Sequence, residues 1–159
     1  MAKAIMRTKK KKALGGAGGV SGNLKHLLRA QRTENADPAA GPPEVVAGWY
    51  RSVNQIRDRL KSAKRRSNSV LAIEVFMGFS PTWDGNPKAS APPDETDEEK
   101  AKRLAIANAK FAAWIASEIG WLESEFGSQN VAIAVCHMDE TTPHLHALVL
   151  PLDAPETDL

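Results

Sequence analysis

Three of the four histidines in this 159-residue chain, His137, His144 and His146, fall within ten residues of one another. Residues 143–151 have the composition of a strand, on which side chains alternate, so His144 and His146 should project from the same face. The apolar run 130–137 ends shortly before, and two runs this close together favour a hairpin that brings His137 to that face as well. Three protein ligands with open coordination positions are typical of a catalytic metal site, which the sequence therefore predicts here.

Two carboxylates, Asp139 and Glu140, lie in the segment between these strands. Each is close enough to accept the second ring N–H of a ligand histidine or to bind the ion directly, and the spacing leaves both roles open. The metal is not fixed either. Imidazoles suit late transition metals, whereas a nucleic-acid enzyme in the cell commonly meets magnesium or manganese.

The fourth histidine, His26, lies between Lys25 and Arg29 in a helix predicted over residues 22–32. Neighbouring cations disfavour the imidazolium form and can hold a phosphate beside the ring, a combination that suits a nucleophile. A histidine on the surface of a helix is, however, more often inert. The local sequence alone favours this second interpretation.

The charge is distributed very unevenly along the chain. Residues 1–66 contain 16 Lys or Arg and 4 Asp or Glu, a net charge of +12, whereas residues 67–159 contain 5 and 15, a net charge of −10. A polyanion is the usual partner of such a basic stretch, although the run Lys9–Lys12 alone could equally be a solvated tail. We expect DNA contacts from basic residues of two predicted helices, namely Lys25, Arg29, Arg32, Arg65 and Arg66.

Hydrophobic periodicity predicts seven elements around these residues. They are strands at 3–8, 69–80, 130–137 and 143–151, and helices at 22–32, 43–66 and 98–126. Thr96 and Glu99 have the spacing of a capping box for the last helix. The order of elements predicts an α+β fold in which an antiparallel β-sheet is covered by helices.

The length predicts a single domain over residues 1–159, and the proline-containing acidic segment 84–97 predicts a mobile loop. No apolar run approaches the roughly 18 residues of a membrane-spanning helix. The chain has a single cysteine, Cys136, which cannot form an internal disulfide framework. These features predict a cytoplasmic protein without a membrane segment.

Several motifs, in the same order along the chain, resemble the plasmid recombination and mobilisation relaxases (Pre/Mob, MobV type). His-Leu-His at 144–146 is similar to the HUH metal motif of these nickases, in which U is an apolar residue. The other similar segments are 4–10, 24–29, 35–38, 70–74, 80–83 and the whole of 137–146.

The resemblance implies a five-stranded antiparallel sheet with the metal site on its central strands. It implies that His137, His144 and His146 bind Mn²⁺ or Mg²⁺, and that Glu140 is a ligand or a proton-handling group. His26 would be the nucleophile that cuts one strand of plasmid DNA at an origin of transfer, leaving a phosphoramidate on the 5′ side and a free 3′ hydroxyl. Other mobilisation or transfer proteins would be further partners.

The sequence departs from the family pattern at residues 39–46, and it stops at Leu159 where family members continue, so we expect a partial relaxase domain. Two alternatives stay open. One is a truncated relaxase that only binds DNA at the origin or its promoter, and the other is a hydrolase of a different phosphodiester that forms no covalent link. Tyr50 is the only tyrosine, and we interpret it as a packing or DNA-contact residue rather than a nucleophile.

Overall fold

The computed structural model describes residues 5–152 of the chain. Two short 3-10 helices, Pro38–Ala40 and Ser128–Asn130, occur in the connections. The regular elements in this part of the chain are strands β1 (Ile5–Lys11), β2 (Glu44–Gly48), β3 (Ala72–Gly78), β4 (Val131–His137) and β5 (His144–Val149), and helices α1 (Val20–Leu27), α2 (Val53–Lys61) and α3 (Asp97–Phe126).

The strands form one five-stranded sheet in the order β1-β3-β5-β4-β2, and every neighbouring pair is antiparallel. β5 lies in the centre, with β3 on one side and β4 on the other. The predicted α+β class and the expected hairpin of β4 and β5 are confirmed. Because β5 is hydrogen-bonded on both edges, side chains along it are held in a fixed register.

Helices cover both faces of the sheet, and each face has its own apolar cluster. On the first face, α1 and α2 pack against Ile133, Val135 and Leu148. On the second face, α3 packs against strand residues of opposite parity, including Leu145 and Cys136. Alternation along β5 therefore directs His144 and His146 toward the α1 face, as the sequence predicts, and Leu145 toward α3.

The first helix is shorter than the predicted span of 22–32. It ends at Leu27, after which Arg29 adopts a left-handed backbone conformation with φ of 53°. Its start is packed closely, because a Cβ on Gly22 would lie 2.2 Å from the carbonyl oxygen of Ala17. Arg29 and Arg32 consequently lie beyond the helix, in the connection to β2.

The predicted helix over residues 43–66 is wrong in its first part. Residues 44–48 form the edge strand β2, and α2 begins only at Val53, where Ser52 and Gln55 form a capping box. A bulge between Val45 and Ala47 breaks the alternation of a strand and gives the apolar residues a helix-like spacing. Trp49, assigned by that pattern to a buried stripe, is 85% exposed.

The remaining elements agree with the sequence except at their ends. α3 has the predicted capping box between Thr96 and Glu99, and β3 covers only residues 72–78 of the expected strand 69–80. Residues 84–96 form no helix or strand. Within the described residues, no helix is long and apolar enough to cross a membrane.

β1 begins at Ile5, the first described residue, so residues 3 and 4 of the predicted strand lie outside the described part of the chain. The strand extends to Lys11, which is buried. Lys9, Lys10 and Lys11 therefore belong to a strand of the sheet, and the interpretation of these three lysines as part of a solvated tail is wrong.

Candidate metal and nucleophile site

The hairpin of β4 and β5 brings three imidazoles together on the α1 face of the sheet. His137 is paired directly with His144 across the strands, and His146 lies two residues further along β5. The ring centroids are 5.2 Å apart for His137 and His144, 5.2 Å for His137 and His146, and 5.0 Å for His144 and His146. An ion bound by nitrogens at about 2.1 Å would put two ring centroids roughly 5 Å apart, so each pair of rings has a separation that fits a shared ion. The candidate ligand atoms themselves form two groups, His137 with Glu140 and His144, and His137 with His26 and His146, so His137 is the member common to both.

Backbone carbonyls set the tautomers of two of these rings. Nε2 of His137 lies 2.9 Å from the carbonyl oxygen of Leu27, and Nδ1 of His144 lies 3.0 Å from that of Thr142. A carbonyl can only accept, so each of these nitrogens carries the proton and the other nitrogen of each ring keeps its lone pair. Those two nitrogens, Nδ1 of His137 and Nε2 of His144, are 3.3 Å apart. Two lone pairs this close repel unless a cation lies between them, and the donor set thus fits a divalent metal.

A carboxylate that the sequence analysis did not assign supports the third imidazole. Glu74 on β3 has Oε1 3.5 Å from Nδ1 of His146, and its Oε2 is 2.8 Å from the ammonium of buried Lys11. The contacts with His146 and then Lys11 lower the pKa of Glu74 to about 2. Nδ1 of His146 makes no hydrogen bond to the described residues, and Glu74 is the carboxylate that faces it. A carboxylate on that side of the ring leaves Nε2 of His146 for an ion, the arrangement in which an outer carboxylate raises ligand basicity.

The two carboxylates of the β4–β5 connection have different surroundings. Glu140 belongs to a group with His137 and His144 whose candidate ligand atoms all lie within 4.8 Å of one another. Asp139 instead accepts two hydrogen bonds from Arg29, at 2.7 and 2.9 Å, and Arg29 also donates to Glu140 at 2.7 Å. Since carbonyls take the ring N–H groups of His137 and His144, neither carboxylate takes that role.

His26 faces the same centre from the last turn of α1. Its ring centroid is 5.9 Å from that of His137 and 5.4 Å from that of His146. A guanidinium nitrogen of Arg29 lies 3.5 Å from Nε2 of His26 and can only donate, which favours a lone pair on Nε2. The chain's four histidines therefore converge, although His26 and the hairpin are more than a hundred residues apart in sequence.

Burial favours the neutral form of His26, His137 and His144 by lowering the pKa of each ring. It lowers the pKa of His137 to about 4 and is also the main cause of the lowered pKa of His144 and of His26. For His26, the charges of His146 and then Arg29 lower the pKa further, so of the two neighbouring cations expected to act, Arg29 does. Neutral rings have free lone pairs, which both a metal ligand and a nucleophile need.

The cationic residues expected to bind DNA lie in different settings. Lys25, Arg32, Arg65 and Arg66 are exposed. Arg29 is only half-buried as a residue, but each of its three guanidinium nitrogens contacts a protein group, so a phosphate would have to share these donors.

Arg7 and Lys9 of β1 are further cations near the candidate site that the sequence did not identify. They are exposed and lie opposite Phe76 and Glu74, and Phe76 in turn lies opposite His146. Directly opposed residues of antiparallel strands share a face, so both cations are on the face of the histidines. Alternation of side chains along residues 5–11 shows that Arg7 and Lys9 share one face of the strand. Only the pairing of β1 with β3 shows that this is the face of the histidines.

Two open pockets adjoin the connection between β4 and β5. One has a volume of about 820 Å³ and is lined by Arg29, Arg32 and Asp139, among others. The second, of about 380 Å³, includes Phe76, Glu140 and His144 in its wall. Open space therefore reaches both Asp139 and His144.

The other candidate side chains lie apart from this centre. Tyr50 follows β2 at the end that pairs with Ile133, and it packs against the α1 and α2 cluster, in agreement with a packing residue. It does not lie on a helix, contrary to its predicted position. Cys136 is buried on the α3 face, where desolvation raises the pKa of its thiol to about 12.

The family described as plasmid recombination enzyme (Mob_Pre) matches residues 1–157. Similar curated proteins include a "65 kDa protein" of Zymomonas mobilis, 30% identical over 97% of this chain and 24% of that protein. Another is a plasmid recombination enzyme of Bacillus thuringiensis, 30% identical over 62% of this chain and 18% of that protein. The chain thus spans about a quarter or less of the length of these relatives.

Solved structures of one relaxase domain have a similar fold. A Mn-bound crystal structure of the MobM relaxase domain with plasmid pMV158 oriT DNA, at pH 5.5, has a TM-score of 0.66 and 21% identity, over 96% of this chain and 72% of that one. A Mn-bound structure of the same domain at pH 6.8 has a TM-score of 0.62 and 22% identity over the same shares of the two chains. The sheet and its helices are therefore those of a relaxase domain.

Proposed function

We propose that this chain, which belongs to the plasmid recombination enzyme family, carries the nicking and strand-transfer site of a relaxase. Its substrate would be one strand of plasmid DNA at an origin of transfer, and the reaction would take place in the cytoplasm. The observation that carries the proposal is the convergence of a helix-borne imidazole, His26, on three strand-borne imidazoles, two of which, His137 and His144, direct an N–H group to a backbone carbonyl.

In this proposal the four histidines have two roles. His137, His144 and His146 hold a divalent ion, with Mn²⁺ or Mg²⁺ as the candidates, and Glu140 is a further ligand or handles a proton. When bound, the ion polarises the scissile phosphate and stabilises charge in the transition state. His26 is the nucleophile, and the guanidinium of Arg29, 3.5 Å from its Nε2, favours a lone pair on that nitrogen.

The covalent step exchanges one bond to phosphorus for another. A nitrogen of His26 forms a bond to the scissile phosphorus, and the bond from phosphorus to the 3′ oxygen breaks. The imidazole gives up its remaining N–H proton as the N–P bond forms, and the departing oxygen takes up one proton, which Glu140 or water would transfer, and leaves as a 3′ hydroxyl. The 5′ side stays attached to the protein as a phosphoramidate. Because one phosphorus bond replaces another, resealing by an incoming 3′ hydroxyl needs no nucleotide cofactor.

Basic residues around the centre would hold the DNA strand. Lys25 and Arg32 flank the helix end that carries His26. Arg7 and Lys9 lie on the edge strand β1, on the same face of the sheet as the histidines. Arg65 and Arg66 extend this charge beyond α2. Contacts of this kind to phosphates position a strand without reading its sequence.

The test is formation of a covalent adduct. The protein is incubated with Mn²⁺ and a single-stranded oligonucleotide that contains the nick site of the plasmid encoding it, and the products are separated under denaturing conditions. We expect a protein–DNA band with the wild type and none with His26→Ala. Losing a nucleophile removes the covalent path entirely, so the expected decrease is at least about 10³-fold.

Lys25→Ala is the matched control, because Lys25 precedes His26 in the same turn of α1 and is exposed. Its adduct should form more slowly but still form. An adduct that persists in His26→Ala would remove His26 from the role of nucleophile. Salt-dependent DNA binding with no adduct in the wild type would instead favour the DNA-binding alternative, and cleavage without an adduct would favour the hydrolase.

A further inference from the structure

The four histidines offer a second, overlapping set of metal ligands that includes His26. Candidate ligand atoms of His26, His137 and His146 all lie within 4.8 Å of one another, just as those of His137, Glu140 and His144 do. His137 belongs to both groups. The ring of the residue proposed as the nucleophile thus lies beside two of the rings proposed to hold the ion.

The two groups differ in chemistry. The group with His26 contains nitrogen donors only, and Nε2 of His144 lies beside this group, 3.3 Å from Nδ1 of His137. Imidazole nitrogens suit Zn²⁺ and similar late transition ions, and Zn²⁺ favours four ligands in a tetrahedral arrangement. The group with Glu140 adds a carboxylate oxygen, and Mn²⁺ and Mg²⁺ prefer oxygen ligands with coordination positions left for water or substrate.

The position of His26 permits its ring to move. The side chain is half-buried on the last turn of α1, and among the described residues its ring makes one hydrogen-bonding contact, the 3.5 Å approach of Arg29. His137 is fully buried and tied to the carbonyl of Leu27. An ion that pulls on both rings therefore moves the histidine that is held less firmly.

We propose that, without DNA, Zn²⁺ recruits His26 into a closed four-imidazole site with His137, His144 and His146, which withdraws the nucleophile from use. Only the regulatory part of this inference, that zinc binding prevents cleavage, rests on the proposed function. The binding itself is a property of the DNA-free protein. A switch of this kind would keep the site from cutting in a cell where such an ion exceeds manganese or magnesium at the protein.

The test is equilibrium metal binding to the DNA-free chain. Zn²⁺ and Mn²⁺ are titrated calorimetrically into the wild type, His26→Ala and the control Lys25→Ala. We expect His26→Ala to weaken Zn²⁺ binding at least about tenfold, the lower end of what loss of a supporting metal contact costs, and to leave Mn²⁺ binding unchanged. Lys25→Ala should change neither affinity.

A spectroscopic measurement reports the geometry independently. Co²⁺ in place of Zn²⁺ should give the intense visible absorption of a tetrahedral site in the wild type, and a weak spectrum of higher coordination in His26→Ala. His26→Cys should restore tight Zn²⁺ binding, because a thiolate is a good zinc ligand, without restoring adduct formation. His26→Gln serves as a second variant if His26→Ala is poorly folded by circular dichroism.

Equal Zn²⁺ affinities in the wild type and in folded His26→Ala or His26→Gln would overturn the inference, as would a Co²⁺ spectrum that does not depend on His26. Failure of the proposed function gives a different result, namely no Mn²⁺-dependent adduct. The two outcomes are separable because no DNA is present in the metal titrations.

Discussion

Glu74 connects a buried lysine of the sheet, Lys11, to the candidate metal site through His146. It lies between the ring of His146 and the ammonium of Lys11, whose side chain is only 4% exposed. A lysine so deeply buried needs its partner, and the imidazole needs an acceptor on the side away from the ion. One carboxylate meets both requirements.

Replacing Glu74 with Gln should lower Mn²⁺ affinity by about 10-fold, because outer-shell partners of a ligand histidine typically contribute this much or more. The measurement is calorimetric titration of the DNA-free protein. Glu123→Gln, an exposed change on α3 on the other face of the sheet, is the control and should leave the affinity unchanged. Equal affinities in the two variants would mean that Glu74 only neutralises Lys11.

The sequence predicted the histidines of the site but not this carboxylate. His144 and His146 share a face through alternation, and His137 precedes them by a short connection, so local spacing was enough to place all three. Glu74 lies 72 residues before His146 and meets it only because β3 pairs with β5. Strand composition predicts that a strand exists and does not identify its neighbour.

At the scale of elements, the close packing at the start of α1 determines where His26 lies. Gly22 has no room for a Cβ, because that atom would lie 2.2 Å from the carbonyl oxygen of Ala17. The segment before the helix therefore packs against its first turn. A side chain there would push α1 outward and carry His26 and Leu27 with it.

Gly22→Ala should lower the free energy of unfolding by about 1–3 kcal/mol, the usual cost of overpacking, and should slow adduct formation at temperatures where the variant is folded. Gly120→Ala is the matched control, since Gly120 lies in α3 with open space around its Cβ position. It should raise stability by about 0.5–1 kcal/mol because alanine favours a helix over glycine. Urea denaturation measures both, and a neutral Gly22→Ala would contradict the packing argument.

The sequence predicted helices and strands correctly where the spacing of apolar residues was regular, as in α3 with its capping box. It did not do so at residues 43–52, where the bulge between Val45 and Ala47 placed apolar side chains at a helix-like spacing. A bulge is specified by the partner strand and by Gly48, whose φ of 75° and close approach to Ala132 exclude a side chain. Neither is visible in a hydrophobic pattern.

For the whole molecule, the strong charge difference between the two parts of the sequence becomes a difference between surfaces. Lys25 and Arg32 lie near the histidines, whereas Lys100 and Lys102 lie on α3, which covers the other face of the sheet. Phosphate contacts release counterions, so only cations on the DNA-binding face should contribute to the salt dependence of binding.

The double variant Lys25→Gln, Arg32→Gln should reduce the slope of log affinity against log salt by about 1.4, since each phosphate contact to a single strand contributes about 0.7. Lys100→Gln, Lys102→Gln removes the same charge and should leave the slope unchanged. Binding is measured by fluorescence anisotropy with a labelled oligonucleotide across a salt series. Equal decreases of this slope in both double variants would mean that DNA binding depends on net charge and not on the cations of one face.

Two adjacent residues at the end of α1 serve different partners. His26 presents its ring to the centre, and the carbonyl oxygen of Leu27 orients the imidazole of His137 at 2.9 Å. A single peptide unit thus joins the group proposed to attack phosphorus to the group proposed to hold the ion. Any force that tilts this helix end, such as that of a bound strand, should therefore disturb attack and ion capture together.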